Sequence, residues 1–150
     1  MPGNFKDRRL VRRGAYALPS LFTAGTLFCG YYALMKTIQA IALPAERVAE
    51  AAGLFDLAAI AVGVAVFTDG MDGRIARITN AVSEFGRELD SLADVITFGI
   101  APALLAFAWG LRTLEPALAA EHLNRFGYFL TFLYVVCGAS RLARIPRTGR

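Results

Sequence analysis

Asp69-Gly70-Met71-Asp72-Gly73-Arg74-Ile75-Ala76-Arg77 and, eight residues further on, Gly86-Arg87-Glu88-Leu89-Asp90-Ser91-Leu92-Ala93-Asp94 decide how this chain is read. If both halves are helical, spacings of three and four put Asp69 and Asp72 on one face, and Gly86, Asp90 and Asp94 on another. Four carboxylates can then converge. Carboxylates held together repel unless positive charge sits between them, and hard oxygen donors of this kind suit Mg²⁺, Mn²⁺ or Ca²⁺. Asp69, Asp72, Asp90 and Asp94 therefore read as a divalent-metal site.

Composition says where that site lies. Of the 150 residues 56% are hydrophobic and 19% charged, and the mean hydropathy is +0.48; this apolar excess points away from an ordinary soluble domain and toward a membrane protein. The uncharged run Ala15 to Met35, 21 residues, can cross about 30 Å of hydrocarbon at about 1.5 Å per residue. Ala51 to Thr68, with the single charge Asp56, and the shorter uncharged runs Val95 to Leu111 and Phe126 to Ser140 complete a set of four. The expected fold is all-α, a polytopic transmembrane helical bundle.

Charge placement orients it. Lys6, Arg8, Arg9, Arg12 and Arg13 precede the first span, Arg74, Arg77 and Arg87 separate the second and third, and Arg141, Arg144, Arg147 and Arg150 follow the fourth. Only Arg47, Arg112 and Arg125 fall on the opposite side, with Lys36 inside the first span. By the positive-inside rule the N-terminus, the aspartates and the C-terminus are cytoplasmic, with Trp109 and Tyr128 near the far interface. Residues 1–14 form a basic cytoplasmic arm ahead of a single domain over 15–150. A secretory signal peptide fits poorly, since the first apolar run is too long and no clean small-residue cleavage site follows it.

Other residues carry blander expectations. Cys29 and Cys137 lie in separate apolar spans and read as small packing residues; His122 reads as a surface residue and Asp56 as interfacial. Gly25, Gly30, Gly63, Gly99 and Ala103 are candidates for close helix approach. Gly73 and Ala76 are small enough to leave the helix backbone open to close approach. Arg77, and more weakly Arg74, can pair with phosphate oxygens.

The spacing Asp-x-x-Asp-Gly-x-x-Ala-Arg-x8-Gly-x-x-x-Asp-x-x-x-Asp resembles the signature of the CDP-alcohol phosphotransferases, with eight identities fixed across 26 positions. Arg12-Arg13-Gly14, Leu18 to Thr23, Phe28 to Tyr31, Phe85 to Asp94, Phe98 to Pro102 and Arg141 to Arg144 are similar to the phosphatidylserine synthase branch. Ser20 stands where that branch usually has Asn. The resemblance implies a six-helix family fold, of which this chain holds four spans, so a C-terminally truncated domain is expected. It also implies a membrane transferase of phospholipid biosynthesis that passes the phosphatidyl group of CDP-diacylglycerol to L-serine and releases CMP. Its cofactor would be a two-ion Mg²⁺ or Mn²⁺ site, its partners membrane lipids and a second copy in a homodimer, with no nucleic acid.

Residue roles follow from the same resemblance. Asp69 and Asp90 would bridge both ions, Asp72 would complete the first, and Asp94 would complete the second while accepting the serine hydroxyl proton. Gly73, Ala76, Arg77, Ser83 and Gly86 would contact the cytidine diphosphate. Arg141 and Arg144 are candidate clamps for the serine carboxylate, or equally positive-inside anchors. Two alternatives stay open: another acceptor such as glycerol phosphate or inositol phosphate, and, from a different class, a divalent-cation transporter. A transporter needs acids along a path near the bilayer midplane, whereas these cluster at one edge beside arginines.

Overall fold

Small residues recur along this chain at helical spacing, and they, rather than the large apolar ones, form its interior. In the computed structural model the backbone is described for residues 5–79, 84–113 and 120–143, and side chains for 21–71, 86–113 and 125–143. All elements are helical: α1 (Phe5–Ala42), α2 (Val48–Thr79), α3 (Glu84–Asp94), a wide π-helical turn (Val95–Ile100), α4 (Ala101–Thr113) and α5 (Ala120–Ala143). The π turn joins α3 and α4 without a break. No strand occurs among the described residues.

Thr23, Thr26, Gly30, Ala33, Thr37 and Ala40 are the buried positions among the described side chains of α1, spaced alternately three and four apart. A repeat of 3.5 residues keeps one seam facing a partner helix that crosses at a shallow left-handed angle. The partner is α2, through Ala51, Phe55, Ala58, Ala61 and Ala65. α4 closes the group: Ala101 packs with Ala33, Ala58 and Ala61, and Ala108 with Ala40, Ala51 and Phe55. Side chains of this size let backbones approach, and dispersion at close range replaces the hydrophobic effect that lipid cannot supply.

Large apolar side chains point outward. Phe28, Ile60, Phe67, Trp109, Phe126, Phe129 and Phe132 are all more than half exposed. An apolar exterior around a small, partly hydroxylated interior is the arrangement expected of a lipid-facing bundle. Three stretches among the described residues are long and apolar enough to cross a membrane: Val48–Met71, Gly86–Thr113 and Arg125–Ala143. They contain the second, third and fourth expected spans, and the third begins nine residues before the expected Val95. The first expected span lies on α1, its opening residues outside the described side chains.

The end of the bundle opposite the aspartates is tied by a single guanidinium. Arg112 donates to the carbonyls of Ala40 at 2.6 Å, Leu43 at 3.0 Å and Pro44 at 2.8 Å. These belong to the last turn of α1 and the connector after it, where helical carbonyls have lost their donors. α5 sits at the periphery. Its Tyr128 ring stacks on Phe107 at 4.7 Å, where Gly127 leaves no room for a Cβ against the Phe107 ring.

Glycine expectations divide. At Gly30 a Cβ would lie 2.9 Å from the Thr97 Cα, so close approach holds there, and Ala103 is buried. Gly25 and Gly63 face open space and Gly99 makes only ordinary contact. These three do not mediate close packing among the described residues. Cys29 is partly buried and Cys137 exposed, both as free thiols.

Candidate active site

α2 and the α3–α4 segment are longer than a bilayer requires, and the excess carries the acids. The 32 residues of α2 rise about 48 Å, and the 28 of Gly86–Thr113 about 42 Å, against about 30 Å of hydrocarbon. Asp69 comes near the end of the apolar part of α2, and Asp90 and Asp94 near the start of its neighbour. Asp90 and Asp94 share a face as expected, while the side chain of Asp72, expected beside Asp69, lies outside the described residues. A carboxylate oxygen from each of Asp69, Asp90 and Asp94 lies within 4.8 Å of the other two, all partly buried.

Three anionic groups at this distance repel strongly in a medium drier than water. Part of the set also lacks a compensating donor among the described residues: Asp94 Oδ1 is buried and accepts no hydrogen bond from them. A buried acceptor left unsatisfied is costly. An acceptor-only carboxylate oxygen aimed into a group of hard donors fits a divalent cation, which would satisfy it and offset the repulsion.

α1 adds a residue that the sequence reading did not single out. Thr23 Oγ1 donates to Asp90 Oδ1 at 3.4 Å, a long contact from a buried position. One turn along, the Thr26 carbonyl accepts from Thr97 Oγ1 at 3.2 Å. Thr97 is fully buried within the π turn that follows Asp94. The 3.5-residue seam of α1 thus holds the acidic helix at two points, one on a carboxylate and one just beyond it.

A cavity of about 390 Å³ opens beside Asp94. Val95, Phe98 and Gly99 line one wall, and Tyr134, Cys137, Gly138 and Arg141 of α5 line the other. Arg141 is therefore brought to the same cavity as Asp94. Cys137 lines it too, in place of the interior packing role expected for it. Gly86 lies on α3 one turn before Asp90. Asp72, Gly73, Arg74, Ala76 and Arg77 lie on the backbone of α2, but their side chains fall outside the described residues, as do Ser83 and Arg144 altogether.

The match to known sequences covers this whole arrangement. The family model for CDP-alcohol phosphatidyltransferase matches residues 16–148. The chain belongs to that family. The chemistry of CDP-alcohol phosphatidyltransferases generally depends on a divalent metal, in keeping with the aspartate cluster. The chain is 38% identical to the CDP-diacylglycerol–serine O-phosphatidyltransferase of Helicobacter pylori over 86% of its own length and 45% of the relative. It is 35% identical to the enzyme of that name from Bacillus subtilis, covering 85% of the chain and 59% of the relative. With the Saccharomyces cerevisiae enzyme of that name the identity is 34%, over 81% of the chain and 38% of the relative. The chain spans about half the length of the curated relatives it matches. No solved structure matches it.

Proposed function

We propose that the protein to which this chain belongs transfers the phosphatidyl group of CDP-diacylglycerol to L-serine and releases CMP. The observation that carries the reading is the meeting at one cavity of Arg141 and Asp94, one of three converging carboxylates. The names of the relatives support serine as acceptor. The cluster sits at one end of long helices beside arginines, a position that suits a surface reaction better than permeation of a cation.

Asp69, Asp90 and Asp94, with Asp72 three residues after Asp69, would hold Mg²⁺ or Mn²⁺. Two such ions, bound there, would neutralise the diphosphate charge and stabilise CMP as it leaves. The rest falls to the chain. Asp94 accepts the proton of the serine hydroxyl as its oxygen attacks the phosphatidyl phosphorus and the bond to CMP breaks. Arg141, with Arg144, holds the serine carboxylate bidentately so that the hydroxyl points at the lipid phosphate. Gly73, Ala76, Arg77, Ser83 and Gly86 receive the cytidine diphosphate, the small residues admitting it against the helix backbone. The basic residues flanking the aspartates put this end, and the N-terminal arm, on the cytoplasmic side. The functional unit is a homodimer, as the family resemblance implies.

The test is incorporation of radiolabelled L-serine into lipid by the complete protein, supplied with CDP-diacylglycerol and Mn²⁺ or Mg²⁺. Serine should enter the lipid, EDTA should stop it, and glycerol 3-phosphate should not substitute. Preferential use of glycerol phosphate or inositol phosphate would overturn the acceptor. Serine transfer that survives removal of both Arg141 and Arg144 side chains would refute the carboxylate clamp.

A further inference from the structure

The helix carrying Asp94 does not run straight into α4. Val95–Ile100 takes the wider π register, and the Ala101 N–H reaches back to the Ile96 carbonyl. Pro102 follows immediately. Proline has no N–H, so the carbonyl four residues earlier, that of Phe98, loses its α-helical donor. In a membrane span another donor must then replace it, from protein or from a wet cavity. Tyr134 does: its hydroxyl donates to the Phe98 carbonyl at 3.0 Å, reaching across from α5. The phenol is satisfied by the same contact, which matters equally for a hydroxyl on a lipid-exposed helix.

We propose that Tyr134 is a positioning residue for Asp94, holding the wide turn in register through the carbonyl that Pro102 leaves without a donor. The turn is then gripped from two sides, by Thr97 on the Thr26 carbonyl of α1 and by Tyr134 on Phe98. Asp94 is the residue directly before it. Phe98 and Tyr134 line the cavity that Asp94 and Arg141 share. Loss of the hydroxyl frees the turn on its α5 side, and Asp94 drifts from Asp69 and Asp90. The contact between α4 and α5 at Phe107 and Tyr128 is untouched, so the bundle itself persists.

This inference rests on the proposed metal-assisted transfer, but its test separates the two. In the complete protein, Tyr134→Phe should weaken Mn²⁺ binding, read by electron paramagnetic resonance, by about tenfold, the scale of one interhelical hydrogen bond. Turnover should fall with it while KM for CDP-diacylglycerol holds. Pro102→Ala returns an N–H to the Phe98 carbonyl, so Tyr134→Phe should cost much less in that background. Equal losses in both backgrounds, or Mn²⁺ affinity unchanged in Tyr134→Phe alone, would overturn the proposal. If Pro102→Ala does not fold, the single variant decides through the Mn²⁺ measurement. A wild-type protein that binds Mn²⁺ but fails to transfer serine would sink the acceptor assignment and leave the positioning role standing.

Discussion

Gly30→Ala adds one methyl group to α1 at its tightest point. The new Cβ would stand 2.9 Å from the Thr97 Cα and against the Thr97 hydroxyl oxygen. Backbone cannot rotate away, and the hydroxyl is already engaged with the Thr26 carbonyl at 3.2 Å. Carbon atoms rest at about 3.5–4.0 Å, so α1 and the π turn must part by roughly 0.6–1 Å. Overpacking of this kind costs about 1–3 kcal/mol. Alanine recovers about 0.8–1 kcal/mol over glycine within a helix, so the net loss of stability should reach at most about 2 kcal/mol. The rate should suffer more. Displacement of a reacting group by about 1 Å can cost on the order of 100-fold, and the turn displaced begins directly after Asp94. The assay is serine transfer in detergent or proteoliposomes beside thermal unfolding of the same preparation. Gly25→Ala, with open space around its Cβ, is the control and should retain its rate. Wild-type turnover in Gly30→Ala would refute the claim that α1 sets the position of Asp94, the proposed proton acceptor; equal losses at both glycines would point to backbone freedom instead.

Asp69→Asn and Asp90→Asn should each abolish turnover and Mn²⁺ binding while leaving membrane insertion intact. Asp94→Asn should lower kcat with a smaller loss of CDP-diacylglycerol affinity, and titration of the three variants with Mn²⁺ and lipid substrate separates these outcomes. Arg112→Met removes the guanidinium that serves the carbonyls of Ala40, Leu43 and Pro44. Partial exposure reduces the value of each contact, so a loss of about 1–2 kcal/mol is expected in denaturant unfolding, with kinetic constants unchanged because the cap lies at the opposite end of the bundle.

The acids were legible because their spacing is local. Residues three and four apart on a helix must share a face, so Asp90 and Asp94 needed only helicity to come together, and Asp69 needed only the adjacent helix. Thr23 was not legible in that way. It lies 67 positions from Asp90, and nothing within its own segment says which helix it will meet. Gly25 and Gly30 are alike as residues, and only the direction of the α1 seam separates them. That direction was available in principle, since Thr23, Thr26, Gly30, Ala33, Thr37 and Ala40 alternate at three and four. The π turn had a fainter trace: Pro102 inside an apolar run announces a missing donor, but not that Tyr134 would supply one. Tyr134 itself looked like any other aromatic residue in a lipid-facing span.

The wide turn also bears on how such a site can arise in a gene. A π turn accommodates more chain than an α turn of the same rise, and its origin is naturally pictured as a codon inserted into an older, regular helix. Each residue of an α-helix advances about 100° around the axis. A deletion between Val95 and Ile100 is absorbed by a return to α register, whereas one residue beyond what the wide turn already holds would rotate α3 by roughly that angle against α4, and swing Asp90 and Asp94 away from Asp69 together. The alignment of the carboxylates thus depends on chain length at a place where no side chain need touch them, and a comparison of descendants should find this segment, Thr97 apart, more tolerant of substitution than of added residues.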